Sequence, residues 1–363
     1  MDDTTAAAQP LVVVGSYAPA AQPGIHVFRF DDATGALTAC GSFAGVVNPS
    51  FLIVHPNRRW LYAVSETSQQ DGAPGSVWAL RFEYDPVSIQ PVNHRPSGGD
   101  WPCHLQLDSS GKWLLVSNYG SGTIAVLPIT ADGSLGEMTD LIQHHGSSAH
   151  PQRQAGPHAH SAALAPDGRF AIVADLGMDQ LVVYNFDPAA GKLGARTHID
   201  TRPGAGPRHI AFQPSGQRMY VANELDSTVS VYDYEASNGA LFERQSIETT
   251  PPDVLENLVA DIHLSSSAQR LYVSNRGHNS LAVFDVEAGG RLARVAIRPC
   301  GGKWPRNFAL APNGRFVLVA NQYSDEVSVL PVLAGSEAIG APVARAAVTQ
   351  ASCVQFIETT DKH

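Results

Sequence analysis

Five side chains in the central part of the chain, His158, His160, Arg208, Glu224 and Arg276, are of the types that polar bond-making chemistry uses. Two guanidinium groups can grip a carboxylate or phosphate through paired hydrogen bonds, or stabilise an oxyanion as it forms. A histidine or a glutamate can take a proton from water and return it to a leaving group. These residues are far apart in sequence, so they form a site only if the fold gathers them. The alternative is a set of ion pairs that holds neighbouring elements together.

The elements that would gather them are written as a repeat. A phrase of turn residue, small polar residue, Gly or a substitute, basic residue and a β-branched run recurs as PNRRWLYAVSE (56–66), SSGKWLLVSNY (109–119), PDGRFAIVADL (166–176), PSGQRMYVANE (214–224), SSAQRLYVSNR (266–276) and PNGRFVLVANQ (312–322). Around Pro214 the pattern reads as HIAFQ (209–213), turn, RMYVANE (218–224), turn, TVSVYDYE (228–235), turn and LFERQSIET (241–249). Four short strands in a repeat of about 40–50 residues make one blade of a β-propeller. Six blades carry the full phrase. At the N-terminus LVVVGSY (11–17) and GIHVFRF (24–30) read as second and third strands, and the missing innermost strand is SCVQFIE (352–358) at the other end. The sequence therefore predicts an all-β, seven-bladed propeller of four-stranded antiparallel blades. It is one domain over 1–363 with an ordered core of about 11–357. The C-terminal strand closes the ring on the N-terminal strands and removes the open edges.

Antiparallel pairing puts the start of each first strand and the end of each second strand on one rim. Counted from the turn residue, the ninth position reads Ser65, Asn118, Asp175, Asn223, Asn275 and Asn321. Such side chains bond nearby backbone where a strand ends. The tenth position varies in chemistry, with Glu66, Tyr119, Leu176, Glu224, Arg276 and Gln322. The sixth position before the turn varies as well, with Ser50, Cys103, His160, Arg208, Ala260 and Arg306. Variation among repeats is what an asymmetric ligand site needs. These columns give a catalytic set of His160, Arg208, Glu224 and Arg276, and His158 joins because residues i and i+2 share a face of a strand. Glu66, Tyr119, Asp175, His209, Asn223, Asn275, Arg306 and Gln322 are the substrate-contacting candidates. His104 and His209 fall one position later and point to the other face.

An insertion at 140–157, DLIQHHGSSAHPQRQAGP, is longer than a tight turn needs and ends at His158 and His160, so it is expected to overhang the mouth. Its His144, His145 and His150 read as solvated loop residues. A histidine-rich rim could hold a metal, but His-x-His alone is a weak ligand pattern, and the metal question stays open. Nothing in the chain calls for a cofactor.

Composition excludes several function classes. The chain has 363 residues, 44% hydrophobic and 16% charged, with 32 Gly and 25 Pro, a balance that suits many short strands joined by turns. A net charge of −10 argues against non-specific nucleic-acid binding. Cys40, Cys103, Cys300 and Cys353 show no paired spacing and read as free thiols. No apolar run reaches the ~18 residues of a membrane span, and MDDTTAAAQP lacks the features of a signal peptide. A cytoplasmic protein, monomeric or dimeric, is expected.

The phrases GPHAHS (156–161), ADLGMDQLVVY (174–184), GPRHIAFQP (206–214), YVANELDSTVSVY (220–232) and LYVSNRGHNSLAVF (271–284) resemble the bacterial seven-bladed lactonase family. NPSFLIVHP (48–56) and SCVQF (352–356) are similar too. That family includes 6-phosphogluconolactonases and a fungal carboxy-cis,cis-muconate lactonizing enzyme. In the lactonizing branch the proposed active site is a His, a Glu and two Arg. By motif these fall on Arg208, Glu224, Arg276 and either His158 or His160. The resemblance implies hydrolysis of a small-molecule sugar lactone, with 6-phosphoglucono-1,5-lactone of the pentose phosphate pathway first. An unphosphorylated aldonolactone, a 1,5-to-1,4 lactone isomerisation and a muconate-type lactonization are alternatives, and a non-catalytic interaction platform is a weaker one. A phosphate would need an extra anion site, for which Arg306, Lys303 and Arg153 are available.

Overall fold

The computed structural model describes residues 9–357 and consists of seven four-stranded antiparallel sheets arranged as a ring of blades. Blade 1 joins the two ends of the chain. Its innermost strand is Ala351–Ile357, followed outward by Leu11–Ser16, Pro23–Phe30 and Leu37–Ala44. Leu11 pairs with Ile357 and Val14 with Val354, so the ring closes as the sequence predicts. Residue 358, expected to end that strand, lies outside the described residues. Blades 2 to 7 follow in chain order over 52–96, 102–143, 159–200, 207–248, 258–299 and 305–347.

Each blade packs on its neighbours through both faces of its inner strands. This is why the second strands are near-continuous apolar runs, such as LVVVGS at 11–16 and FAIVAD at 170–175, buried throughout. The core is accordingly divided into seven clusters, one between each pair of adjacent blades. Tyr220, Val231, Val259, Val273 and Phe284 join blades 5 and 6, and Val14, Phe28, Leu318, Val327 and Val354 join blades 7 and 1. The fourth strands are mostly exposed, as in Lys192–Asp200.

The Gly of the repeated phrase has a backbone reason. Gly111, Gly168, Gly216 and Gly314 sit at φ between 68° and 71° in the turn between the first two strands. In blades 2 and 6 Arg58 and Ala268 hold the same turn at φ 62° and 54°.

A β-bulge at the mouth end of the innermost strand was not legible in the sequence. In blade 5 Pro207 pairs with Asn223 and His209 with Ala222, leaving Arg208 as the extra residue. His160, Cys103, Arg306 and Ser352 are the extra residues in blades 4, 3, 7 and 1. In blade 6 the irregularity spans Ala260 and Asp261. A bulge breaks strand alternation and re-aims one side chain. From blade 3 to blade 7 the variable column six positions before the turn thus falls at the bulge.

The insertion also differs from expectation. Asp140–Gln143 is the outer strand of blade 3, so the loop proper is 144–158. Its His144 is fully buried rather than solvated. Nδ1 lies 2.7 Å from an Asp175 carboxylate oxygen and Nε2 lies 2.8 Å from the Tyr184 hydroxyl. His145 is exposed, and the half-buried His150 accepts from the backbone N–H of Gln152 and Arg153.

Candidate functional site

One mouth of the ring opens into a polar cavity of about 480 Å³. His160, Glu224, Arg276 and Arg306 form part of its wall together with Glu66, Tyr119 and Arg153.

Glu224 is the hub. It follows the second strand of blade 5, where its backbone N–H bonds Gly206 O, and its side chain is 3% exposed. Its Oε2 accepts from Arg208 Nε at 2.9 Å and from Arg276 Nη2 at 2.6 Å. Its Oε1 accepts from Arg153 Nη2 at 2.5 Å. Burial alone would raise the Glu224 pKa, but Arg276, Arg208 and Arg153 outweigh it and hold the group far below the usual carboxylate range. Arg276 also bonds the carbonyls of Leu258 and Val259, which leaves its Nη1 without a protein acceptor among the described residues.

Arg208 is 2% exposed and lies beneath the cavity wall rather than in it. Burial, with Arg276 beside it, lowers its pKa to about 9, so it stays charged at neutral pH. It donates to Ala260 O at 2.5 Å and to His209 Nε2 at 3.2 Å. Because a guanidinium only donates, His209 Nε2 must accept, and the His209 proton sits on Nδ1, 2.8 Å from Asp261. Asp261 also accepts from His263 Nε2 at 2.8 Å and from Asn307 Nδ2 at 2.5 Å. Asp261 and His209 therefore hold Arg208 from below, and they line a separate cavity away from the first. His209, expected as a substrate contact, thus lies off the wall of the first cavity and against Arg208.

His160 is 5% exposed and reaches the cavity because of the bulge. Its Nδ1 lies 3.8 Å from Cys103 Sγ. Burial first, then Arg208, His209, Arg306 and Arg276, push its pKa well below that of a free imidazole, so it is neutral at pH 7. Burial also pushes the Cys103 thiol up to about 12, which keeps it protonated. His158 is resolved from His160 by the same bulge. It precedes the strand, stacks on the Tyr119 ring with centroids 4.3 Å apart, and lies 2.8 Å from Tyr119 O through Nδ1. It supports Tyr119 and does not line the cavity. The i, i+2 argument fails here because a bulge intervenes.

On the other side of the ring, Glu66 accepts from the hydroxyls of Tyr17, at 2.7 Å, and Ser50. Arg306 Nη2 stands 4.0 Å from Glu66 Oε1. Burial works against the Arg306 charge, but Tyr17 and Glu66 beside it more than restore it.

Three substrate-contacting candidates from the ninth column have a different place. Asp175 accepts from the backbone N–H of His158, Gly177 and Met178, besides its contact with His144. Asn223 bonds Thr228 and Ser230, and Asn275 bonds Thr249 and Ser280. All three are buried and tie off strand ends, the structural role their types suggest. Gln322 is buried and off the cavity wall, and Lys303 is exposed and off it too.

Sequence reasoning missed Tyr17, Asn48, Asp71 and Trp101, all of which line the cavity. A signal existed for Tyr17, since it occupies the tenth-column position of the split blade 1. A signal existed for Trp101 as well. Gly-Gly-x-Trp-Pro occurs at 98–102 and again at 301–305, and both tryptophans sit at positive φ, 51° and 64°. Trp304 stacks on Tyr323 and lies under the Arg276 guanidinium. Asn48 and Asp71 gave no local signal.

Among the described residues no group of three or more His, Cys, Asp and Glu side chains is placed to hold a metal ion, no helix is long and apolar enough to cross a membrane, and all four cysteines are free.

Comparison with known proteins places this geometry in context. A family described as lactonase, 7-bladed beta-propeller, matches residues 11–356. The chain is 31% identical to the 6-phosphogluconolactonase of Bacillus subtilis, over 85% of this chain and 87% of that one. It is 31% identical to the 6-phosphogluconolactonase of Formosa agariphila, over 84% and 87%. Among solved structures, the periplasmic gluconolactonase of Pseudomonas aeruginosa superposes with a TM-score of 0.91 at 34% identity, covering 96% of this chain and 99% of that one.

Proposed function

The chain belongs to the seven-bladed β-propeller lactonase family, and from that premise we propose that it hydrolyses a sugar 1,5-lactone, with 6-phosphoglucono-1,5-lactone as the substrate and 6-phosphogluconate as the product. The observation that carries the proposal is the placement of a neutral His160 beside guanidinium groups that Glu224 holds in place.

The lactone carbonyl oxygen binds at the deep end of the cavity, against Arg276 Nη1. Water approaches between His160 and the carbonyl carbon. As the new C–O bond forms, His160 takes a proton from water and the carbonyl oxygen becomes an oxyanion held by Arg276, its charge further balanced by Arg208 beneath. Collapse breaks the bond from the carbonyl carbon to the ring oxygen, and His160 returns its proton to the departing alkoxide. The low proton affinity of His160, set by burial and four nearby cationic or histidine groups, favours this return. The carboxylic acid product then ionises and releases one proton to solvent. Glu224 Oε2 accepts from both Arg208 and Arg276, which supports a role in ordering the guanidinium groups rather than in activating water.

A second substrate, unphosphorylated glucono-1,5-lactone, is supported by one feature of the cavity. Each guanidinium at the site has a carboxylate partner, Glu224 for three of them and Glu66 for Arg306. The name of the Pseudomonas aeruginosa neighbour agrees with that alternative. A phosphorylated lactone is confined by its charge to the compartment that makes it, so the first substrate goes with a cytoplasmic enzyme.

The test is proton release from freshly made 6-phosphoglucono-1,5-lactone and glucono-1,5-lactone, with the spontaneous rate subtracted and products followed by NMR. Acceleration of the phosphorylated lactone supports the proposal. Acceleration confined to the other lactone selects the second substrate, a 1,4-lactone product reveals isomerisation, and no acceleration of either refutes lactone hydrolysis.

A further inference from the structure

Arg153 stands apart from the other site arginines. Arg208 and Arg306 are borne by innermost strands and Arg276 by the second strand of blade 6, whereas Arg153 comes from the loop 144–158. Its side chain is 32% exposed, against 2% for Arg208, 5% for Arg276 and 19% for Arg306. It therefore occupies the solvent end of the cavity, while His160 and Arg276 occupy the deep end.

The loop that carries it is pinned on both sides. Before Arg153, His144 is bonded to Asp175 and Tyr184, and Ser148 Oγ donates to Asp179 at 2.6 Å. After it, Gln154 Nε2 donates to Leu176 O at 2.8 Å and Gln154 N–H donates to His150 O. The backbone is fixed, so the freedom at this point belongs to the side chain. Its two bonds are to Glu224 Oε1, at 2.5 Å, and to the Tyr119 hydroxyl, at 3.3 Å. Glu224 remains compensated if Arg153 leaves, because Arg208 and Arg276 both stay on Oε2. Release of Arg153 is thus the least costly of the three exchanges. The far side of the mouth carries two carboxylates, Glu66 and Asp71, against one guanidinium, Arg306, a balance that disfavours an anion there.

We propose that Arg153 is the specificity residue for an anionic substituent at the outer end of the ligand, exchanging Glu224 for that anion on binding. This rests on the lactonase assignment for the orientation, with the carbonyl deep and the sixth carbon outward, so the anion is a phosphate monoester. The exchange also frees Glu224 Oε1 within the occupied site. A phosphate and a product carboxylate share the same guanidinium-binding chemistry, and the depth of Arg153 selects the phosphate.

Binding of ligands that do not turn over tests this apart from catalysis. Glucose 6-phosphate, gluconate and glucose are titrated calorimetrically into the wild type, Arg153→Gln and Arg153→Lys, with thermal melts to confirm folding. The expected result is that Arg153→Gln weakens glucose 6-phosphate by about 10-fold or more, the scale of one charge-assisted hydrogen-bond pair, and weakens gluconate and glucose much less. Arg153→Lys recovers part of the loss. Equal losses for all three ligands, a larger loss for gluconate, or a wild type that binds glucose 6-phosphate no better than glucose overturns the proposal. Those outcomes leave lactone hydrolysis standing, since that stands or falls on wild-type turnover.

Discussion

Replacing Glu224 by Gln keeps the shape of the hub and removes its charge. Three guanidinium groups lie within 2.5–2.9 Å of this carboxylate, which is 3% exposed. Water cannot take over the missing charge, so Arg208 and Arg276 are left as buried cations without a counter-ion. Breaking a buried ion pair in this way costs about 3–5 kcal/mol, and Arg153, at the solvent end, adds little. Urea unfolding at pH 7 should show a loss in that range for Glu224→Gln. The sign of the pH dependence follows from the depressed pKa of Glu224. Its stabilisation is complete above the ordinary value of 4.5 and is lost as pH falls toward the folded-state value. The gap between wild type and Glu224→Gln should therefore be constant near neutrality and shrink below pH 4.5. Adding Arg276→Met should recover part of the stability by removing one stranded charge, while activity should fall because the oxyanion donor is gone. A Glu224→Gln variant within 0.5 kcal/mol of wild type, on the scale of an ordinary surface change, would refute the view of Glu224 as the buried hub.

Three further outcomes are expected. His160→Asn should lower kcat by about 10²- to 10⁴-fold with a smaller change in KM, and it should remove the acid limb of the kcat/KM profile, which in wild type lies below pH 6.5 because the base form of His160 persists there. Asp261→Asn cannot satisfy His209 and His263 as the carboxylate does. A loss of about 1.5–3 kcal/mol per charged hydrogen bond removed is expected in urea unfolding, and a fall in kcat as Arg208 loses its support. Gly168→Ala meets no atom within 4 Å but must hold φ +70°, so it should lose about 1 kcal/mol in the same assay, while Ala268→Gly, at φ 54°, should be neutral or gain.

The sequence by itself determined the architecture. A local phrase repeated six times specifies hairpins, and hairpins are encoded by near-neighbour turn chemistry and by apolar runs that suit strands buried on both faces. Pairing of residues 11–16 with 351–357 was legible for the same reason, since the N-terminal part of the split blade was short of one strand and the other end of the chain held a single strand left over. Comparing blades in columns found His160, Glu224, Arg276, Glu66, Tyr119 and Arg306, because equivalent positions in a ring must share a mouth.

Tertiary structure decided which of the gathered residues reach the cavity. The bulges send His160 inward and leave His158 against Tyr119, and they depend on register between strands, which no single strand encodes. Arg208 and His209 were drawn below the cavity by Asp261 of the next blade, a contact across 52 residues of chain. The burial of His144 and the reach of Arg153 follow from how the loop 144–158 packs onto blade 4. Secondary structure here was local and could be read along the chain. Arg153 and Arg276 meet Glu224, and Asp261 meets His209, across blades, and only the closed ring brings those charges close enough to set one another's protonation.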